Sequence, residues 1–263
     1  MANIFFDNLH LWQKQTDIDY FTHFMKTWLV FNAWMYHTTQ SEQDRANINH
    51  VKEQANTFRN RMLSGLRLND DLSNAFRQHI GSLKVALDRA ILLNKGEEIR
   101  FDNAFIGDNP QRMADKTFNR CYYKVEFPNL NNHTNNVIIN NSTSGASIFN
   151  ESNTRYDLNW LQNHINYSPL TPERKRLISE CYKLVNPKLY KNLLTLDTRE
   201  GFHIKCGTVH LINDEETVSK GLIEMLYRLR CILFHGELVP NQESSKVYEH
   251  CYFILKMIID RLS

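Results

Sequence analysis

The sequence predicts an all-α, mainly helical fold, an antiparallel helical bundle with an Asn-rich insertion that is partly β or irregular. Three observations lead there. Apolar residues recur at three- and four-residue steps in long stretches near both ends. The last two stretches are joined by a turn containing Gly236 and Pro240. Between 101 and 153 the periodicity gives way to Asn, Ser and Thr, with Gly107, Pro110, Pro128 and Gly145 among them. With 263 residues, 42% hydrophobic and 23% charged, the chain can bury a sizeable core. The expectation is one helical domain over residues 1–263, with an insertion at about 97–155 and a small strand pair at about 201–212.

From Asp17 to His37, Phe21, Phe24, Trp28, Phe31 and Met35 mark one helix face, with Thr16 as its cap. A second helix is predicted from Glu42 to Leu63 on Ile48, Val51, Phe58 and Met62, with Gly65 as its stop. Asp70 or Asp71 opens a third, carried by Leu72, Phe76, Ile80, Leu83, Leu87 and Ile91 and ending near Asn94 and Gly96. Within the insertion, 121–127 and 136–139 read as short strands. Helical signals return at Asp157 to Ile165 and at Thr171-Pro172-Glu173, where a cap, a first-turn proline and an acid coincide. Asn186-Pro187 ends that helix, and another short one is predicted through Leu196. Asp214 to Phe234 and Glu243 to Leu262 then form a helical hairpin.

The charge balance, 31 basic against 29 acidic residues, gives a net +2, so any nucleic-acid site must be a local patch. Five cysteines without a C-x-x-C pair argue against a disulfide framework and a zinc finger and for a reducing compartment. No targeting segment or membrane span is read, and a cytoplasmic protein is expected. Phosphate-binding glycine loops, G-x-S-x-G, H-E-x-x-H and kinase signatures are all missing.

The residues with chemistry to offer lie in Tyr227-Arg228-Leu229-Arg230-Cys231-Ile232-Leu233-Phe234-His235-Gly236. Arg230 and His235 are two polar heads at the end of an apolar helix. Five residues turn about 500°, leaving them about 140° apart unless the terminal turn bends. A guanidinium grips phosphate by paired hydrogen bonds, and an imidazole exchanges protons near neutral pH. RNA carries its own nucleophile, so this pair could cleave it without a metal. The plainer alternative is that both residues complement the carboxyl end of their helix.

The same segment resembles the R-x4-6-H signature of the HEPN superfamily (higher eukaryotes and prokaryotes nucleotide-binding), in the form R-C-x-L-F-H-G. Upstream, Thr27-Trp28-Leu29-Val30-Phe31-Asn32-Ala33-Trp34-Met35-Tyr36 is similar to the first core helix of its Apea-like branch. The resemblance implies an all-helical, usually dimeric, metal-independent endoribonuclease of a toxin or antiviral defence system. Arg230 and His235 take its catalytic positions, and Asn32 a supporting one. It implies an RNA substrate, a homodimer, and an antitoxin or phage-sensing partner, with no cofactor, metal or membrane. Where the family often has a polar residue after the arginine, this chain has Cys231 and Ile232. Where toxins silenced by nucleotide transfer carry a tyrosine, it has Glu237. A noncatalytic dimerising module that binds RNA or nucleotide, or a purely structural helical protein, are the alternatives.

Other residues also offer chemistry. Arg228 could add a phosphate contact. Arg174-Lys175-Arg176, with Lys183, Lys188 and Lys191, could track an RNA backbone. Tyr122 and Tyr123 could stack a base. His203, His210 and Cys206 match no standard zinc spacing.

Overall fold

The computed structural model describes residues 19–127 and 135–262, so Thr16, Asp17, Ile18 and Pro128 lie outside the described residues. The helices are α1 (Tyr20–Thr39), α2 (Asp44–Glu53), α3 (Thr57–Arg67), α4 (Asp71–Ala90), α5 (Leu158–Asn163), α6 (Pro172–Leu184), α7 (Glu215–Phe234) and α8 (Gln242–Ile259). The strands are β1 (Leu93–Asn94), β2 (Glu97–Glu98), β3 (Ala104–Asp108), β4 (Met113–Phe118), β5 (Cys121–Glu126), β6 (Asn135–Asn141), β7 (Ser147–Asn153), β8 (Lys188–Lys191), β9 (His203–Cys206) and β10 (Val209–Ile212). The chain forms two compact units, one from the segments up to Ile106 and from Tyr190 onward, the other from Gly107 to Leu189.

The all-α expectation is therefore wrong: the fold is mixed α/β, with ten strands among the described residues in several small antiparallel sheets. The misreading has a physical source. The strands read at 121–127 and 136–139 are present as β5 and β6, the latter longer because Asn135, Asn140 and Asn141 also take strand positions, but their neighbours β4 and β7 bury only Ala114 and Phe149, so no apolar alternation announces them. The second unit is built on the sheet β4-β5-β6-β7. Its inner face joins Val125, Val137 and Ile139 to Leu177, Ile178 and Tyr182 of α6 in one core. Asn135 is fully buried there, 3.5 Å from the Tyr182 hydroxyl.

Two helix expectations also change. The stretch Glu42 to Leu63 is two helices, because Asn56 turns the chain: its Oδ1 accepts from the Arg59 N–H (2.8 Å) and its amide donates to the Val51 carbonyl (3.0 Å). Gly65, expected as a stop, lies inside α3, which runs on to Arg67. The short helix expected before Leu196 is replaced by strand β8.

In the first unit α8 packs antiparallel on α1, with Tyr20 beside Tyr252 and Phe24 edge-on to Tyr248 (5.3 Å). Phe24, Trp28, Ile80, Leu222, Leu229 and Ile254 belong to its single continuous core. The Tyr248 hydroxyl, wholly buried, donates to the Leu229 carbonyl at 2.8 Å and ties α8 to α7. Gly81 of α4 permits the close approach of β9: a Cβ there would meet the Cys206 carbonyl oxygen at 2.0 Å. Among the described residues no helix is long and apolar enough to cross a membrane.

Candidate active site

Helix α7 begins with a cap at Asp214, whose carboxylate accepts from the Thr217 N–H (3.0 Å), and with two acids in its first turn. One face, Val218, Leu222, Leu226, Leu229 and Ile232, is buried. At the other end the chain closes as a Schellman turn. The Gly236 N–H reaches the Leu233 carbonyl (3.4 Å) and the Glu237 N–H reaches the Ile232 carbonyl (3.0 Å). Gly236 takes the left-handed conformation this needs (φ +67°).

These backbone bonds decide what the His235 side chain is not doing. The Cys231, Ile232 and Leu233 carbonyls have main-chain partners, and the exposed imidazole has no hydrogen bond or ion pair among the described residues. The His235 backbone N–H completes the last helical bond, to the Cys231 carbonyl at 3.0 Å. The ring itself is left to solvent.

Arg230 is held much more tightly. Its Nη2 lies 3.1 Å from Asp44 Oδ2, in the first turn of α2, and its guanidinium stacks on the Phe234 ring at 4.3 Å. The side chain is 17% exposed, and Nε is buried with no partner. A buried donor in that state costs roughly 1–3 kcal/mol. Asp44 was not legible as a partner, being 186 residues away in sequence.

Behind this end, α2 and α7 run antiparallel along a ladder of charges. Lys220 meets Glu53 (2.5 Å), Lys52 and Arg45 share Glu224, and Asp44 meets Arg230. Tyr227 sits among them, and burial, followed by the Cys231 thiol, pushes its phenol up to about 12.

Asn32 is half-buried on α1 and joined to neither Arg230 nor His235 by a hydrogen bond among the described residues. One turn earlier, Trp28 packs its ring 6.3 Å from Tyr227, so α1 passes α7 at that level. Arg228 is turned inward: it is 8% exposed and donates to the Glu97 carbonyl at 3.0 Å, anchoring the β1–β2 hairpin. Nor do the basic residues of α6 form a free stripe. Arg176 pairs with Glu180 (2.6 Å) and Lys175 donates to the Ser168 carbonyl (2.7 Å). Tyr123 is buried in β5. Among the described residues no group of three or more His, Cys, Asp or Glu is arranged to hold a metal.

Comparisons of this chain with protein-family models, with curated proteins and with solved structures give no match.

Proposed function

We propose that the chain is a metal-independent endoribonuclease of the HEPN type, with Arg230 and His235 as its catalytic residues. The reading rests on sequence resemblance in two segments, and the observation that carries it is the state of His235. Backbone bonds already close the helix end, which leaves an exposed imidazole with no structural task five residues after a fixed arginine. In this reading the 2'-hydroxyl of RNA loses its proton to His235 and its oxygen attacks the adjacent phosphorus. Arg230 bears the charge of the phosphorane, and the 5'-oxygen leaves with a proton, giving 2',3'-cyclic phosphate and 5'-hydroxyl ends. One pair supplies one acid-base group, so the proposal includes a homodimer in which a second His235 serves the leaving oxygen. It further places the protein in the cytoplasm as a toxin or effector of antiviral defence, restrained by an antitoxin or phage-sensing partner.

A second reading is favoured by one observation: Arg230 is mostly buried and already engaged by Asp44. That state suits a noncatalytic module that binds RNA or nucleotide weakly, or a structural helix end. Incubation with total RNA in the presence of a chelator separates the readings. Cleavage with cyclic-phosphate ends, lost in His235→Ala and Arg230→Ala, is expected. Equal cleavage by His235→Ala removes the catalytic assignment, and binding without cleavage points to the module.

A further inference from the structure

The hairpin of β9 and β10 puts three basic side chains on one face. Side chains alternate along β9, so Ile204 and Cys206 are buried and His203 and Lys205 face the other way. His210 of β10 stands directly opposite Lys205 in the antiparallel register and shares its face. This face lines a cleft of about 760 Å³ in the first unit, together with Arg67, Thr198 and Asn213. That volume falls in the range of small-molecule sites, roughly 300–1,000 Å³.

The polar groups here are poorly explained by the fold. His203 Nδ1 lies 2.9 Å from the Arg199 carbonyl oxygen. A carbonyl only accepts, so Nδ1 carries the proton and Nε2 is left for a ligand. His210 packs edge-on to His203 with ring centroids 4.5 Å apart, and its Nδ1 is buried with no hydrogen-bond partner. Lys205 is exposed and pairs with no carboxylate among the described residues. Of the two lining carboxylates, Glu215 is drawn to Arg67 Nε at 3.3 Å, and Glu200 is exposed. Arg77, at the back of the cleft, spends its donors on the Leu66 carbonyl and on Asn69 and Asn74. It adds positive field without needing a contact.

We propose that this cleft binds the phosphate group of a small phosphorylated molecule. Lys205 and the Nε2 of His210, the ring nitrogen that is not buried, donate to the phosphate oxygens. His203 Nε2 accepts the P–OH of a monoanion or, when protonated, donates to the dianion. Donors arriving from two strands suit a tetrahedral anion better than a planar carboxylate. The site is independent of the ribonuclease reading.

The test is titration of the full chain with inorganic phosphate, followed by phosphorus-31 line broadening, with a single-stranded RNA decamer in a parallel arm. Saturable phosphate binding is expected, weakened about tenfold by Lys205→Ala and by His210→Gln. Circular dichroism checks that each variant folds, and Lys205, being exposed, is the variant least bound to the core. The proposal is overturned by phosphate binding that is equal in wild type and both variants, or by no saturable binding. RNA binding that depends on Lys205 without phosphate binding also overturns it, giving the basic face to an RNA strand instead.

Discussion

The Glu224 carboxylate accepts a hydrogen bond from the Lys52 ammonium, and both side chains are 1% exposed. Lys52 also donates to the Ile106 carbonyl (3.1 Å), and Arg45 reaches the second carboxylate oxygen (2.8 Å). Burial holds the Lys52 ammonium below its ordinary range, with Glu224 opposing that shift. Lys52→Met leaves Glu224 inside without its buried partner and is expected to lower unfolding stability by about 3 kcal/mol or more. Urea denaturation measures this. The double change Lys52→Met with Glu224→Leu should recover part of the loss, and a double variant as unstable as the two single losses added would contradict the pairing.

Asp44 pairs with Arg230, so under the proposed ribonuclease reading it competes with the RNA phosphate for that guanidinium. Because Asp44 is 39% exposed, its ion pair is worth little, and Asp44→Ala should lower stability by under about 1 kcal/mol. The same change is expected to strengthen RNA binding several-fold, as seen by fluorescence anisotropy, and the gain should vanish when Arg230→Ala is added. Weaker binding in Asp44→Ala would make the aspartate a positioning residue instead.

His79 and His250 bring their Nδ1 atoms to 3.3 Å between α4 and α8, with Phe253 stacked on His79. Burial lowers the pKa of both below the ordinary 6.5. The neighbouring His250 adds to it at His79, where Glu249 opposes, and Lys246 adds to it at His250. A histidine with a depressed folded pKa takes up its proton more readily when unfolded. Stability is therefore full above about pH 6.5 and is lost as pH falls through the folded values. The urea midpoint should be lower at about pH 5 than at about pH 7.5, and the difference should shrink in His250→Gln. An unchanged pH difference in that variant would rule the pair out as its source.

Gly81→Ala would drive a methyl group into the Cys206 carbonyl, which is backbone and cannot swing aside. Destabilisation of about 3 kcal/mol is expected, read as a fall in Tm by circular dichroism. A variant melting with the wild type would mean that β9 does not approach α4 this closely.

Much of the helical framework was legible because its signals are local. Asp70, Thr171 and Asp214 each cap the helix that their pattern announces, and Gly236 closes α7 with the left-handed turn its position suggests. The four-stranded sheet was not legible as a sheet. Strands draw their hydrogen bonds from partners elsewhere in the chain, such as Tyr123 opposite Ile139, and β4 and β7 bury only Ala114 and Phe149, so no alternation announces them. Of the candidate site, Arg230 and His235 are singled out by the resemblance, since type and spacing alone suit helix capping as well, and their surroundings were not legible.

By itself, then, the sequence determined where α4, α6 and α7 start, where α7 stops, and which residues have phosphate and proton chemistry to offer, since capping, periodicity and side-chain type act over a few residues. Only the tertiary structure decided that Arg230 is pinned by Asp44 and Phe234 while His235 stands free, and that His203, Lys205 and His210 share one cleft. The Arg230–Asp44 pair and the wall that Arg67 gives the cleft depend on contacts between distant segments, which form only when burial of the apolar core brings the segments together.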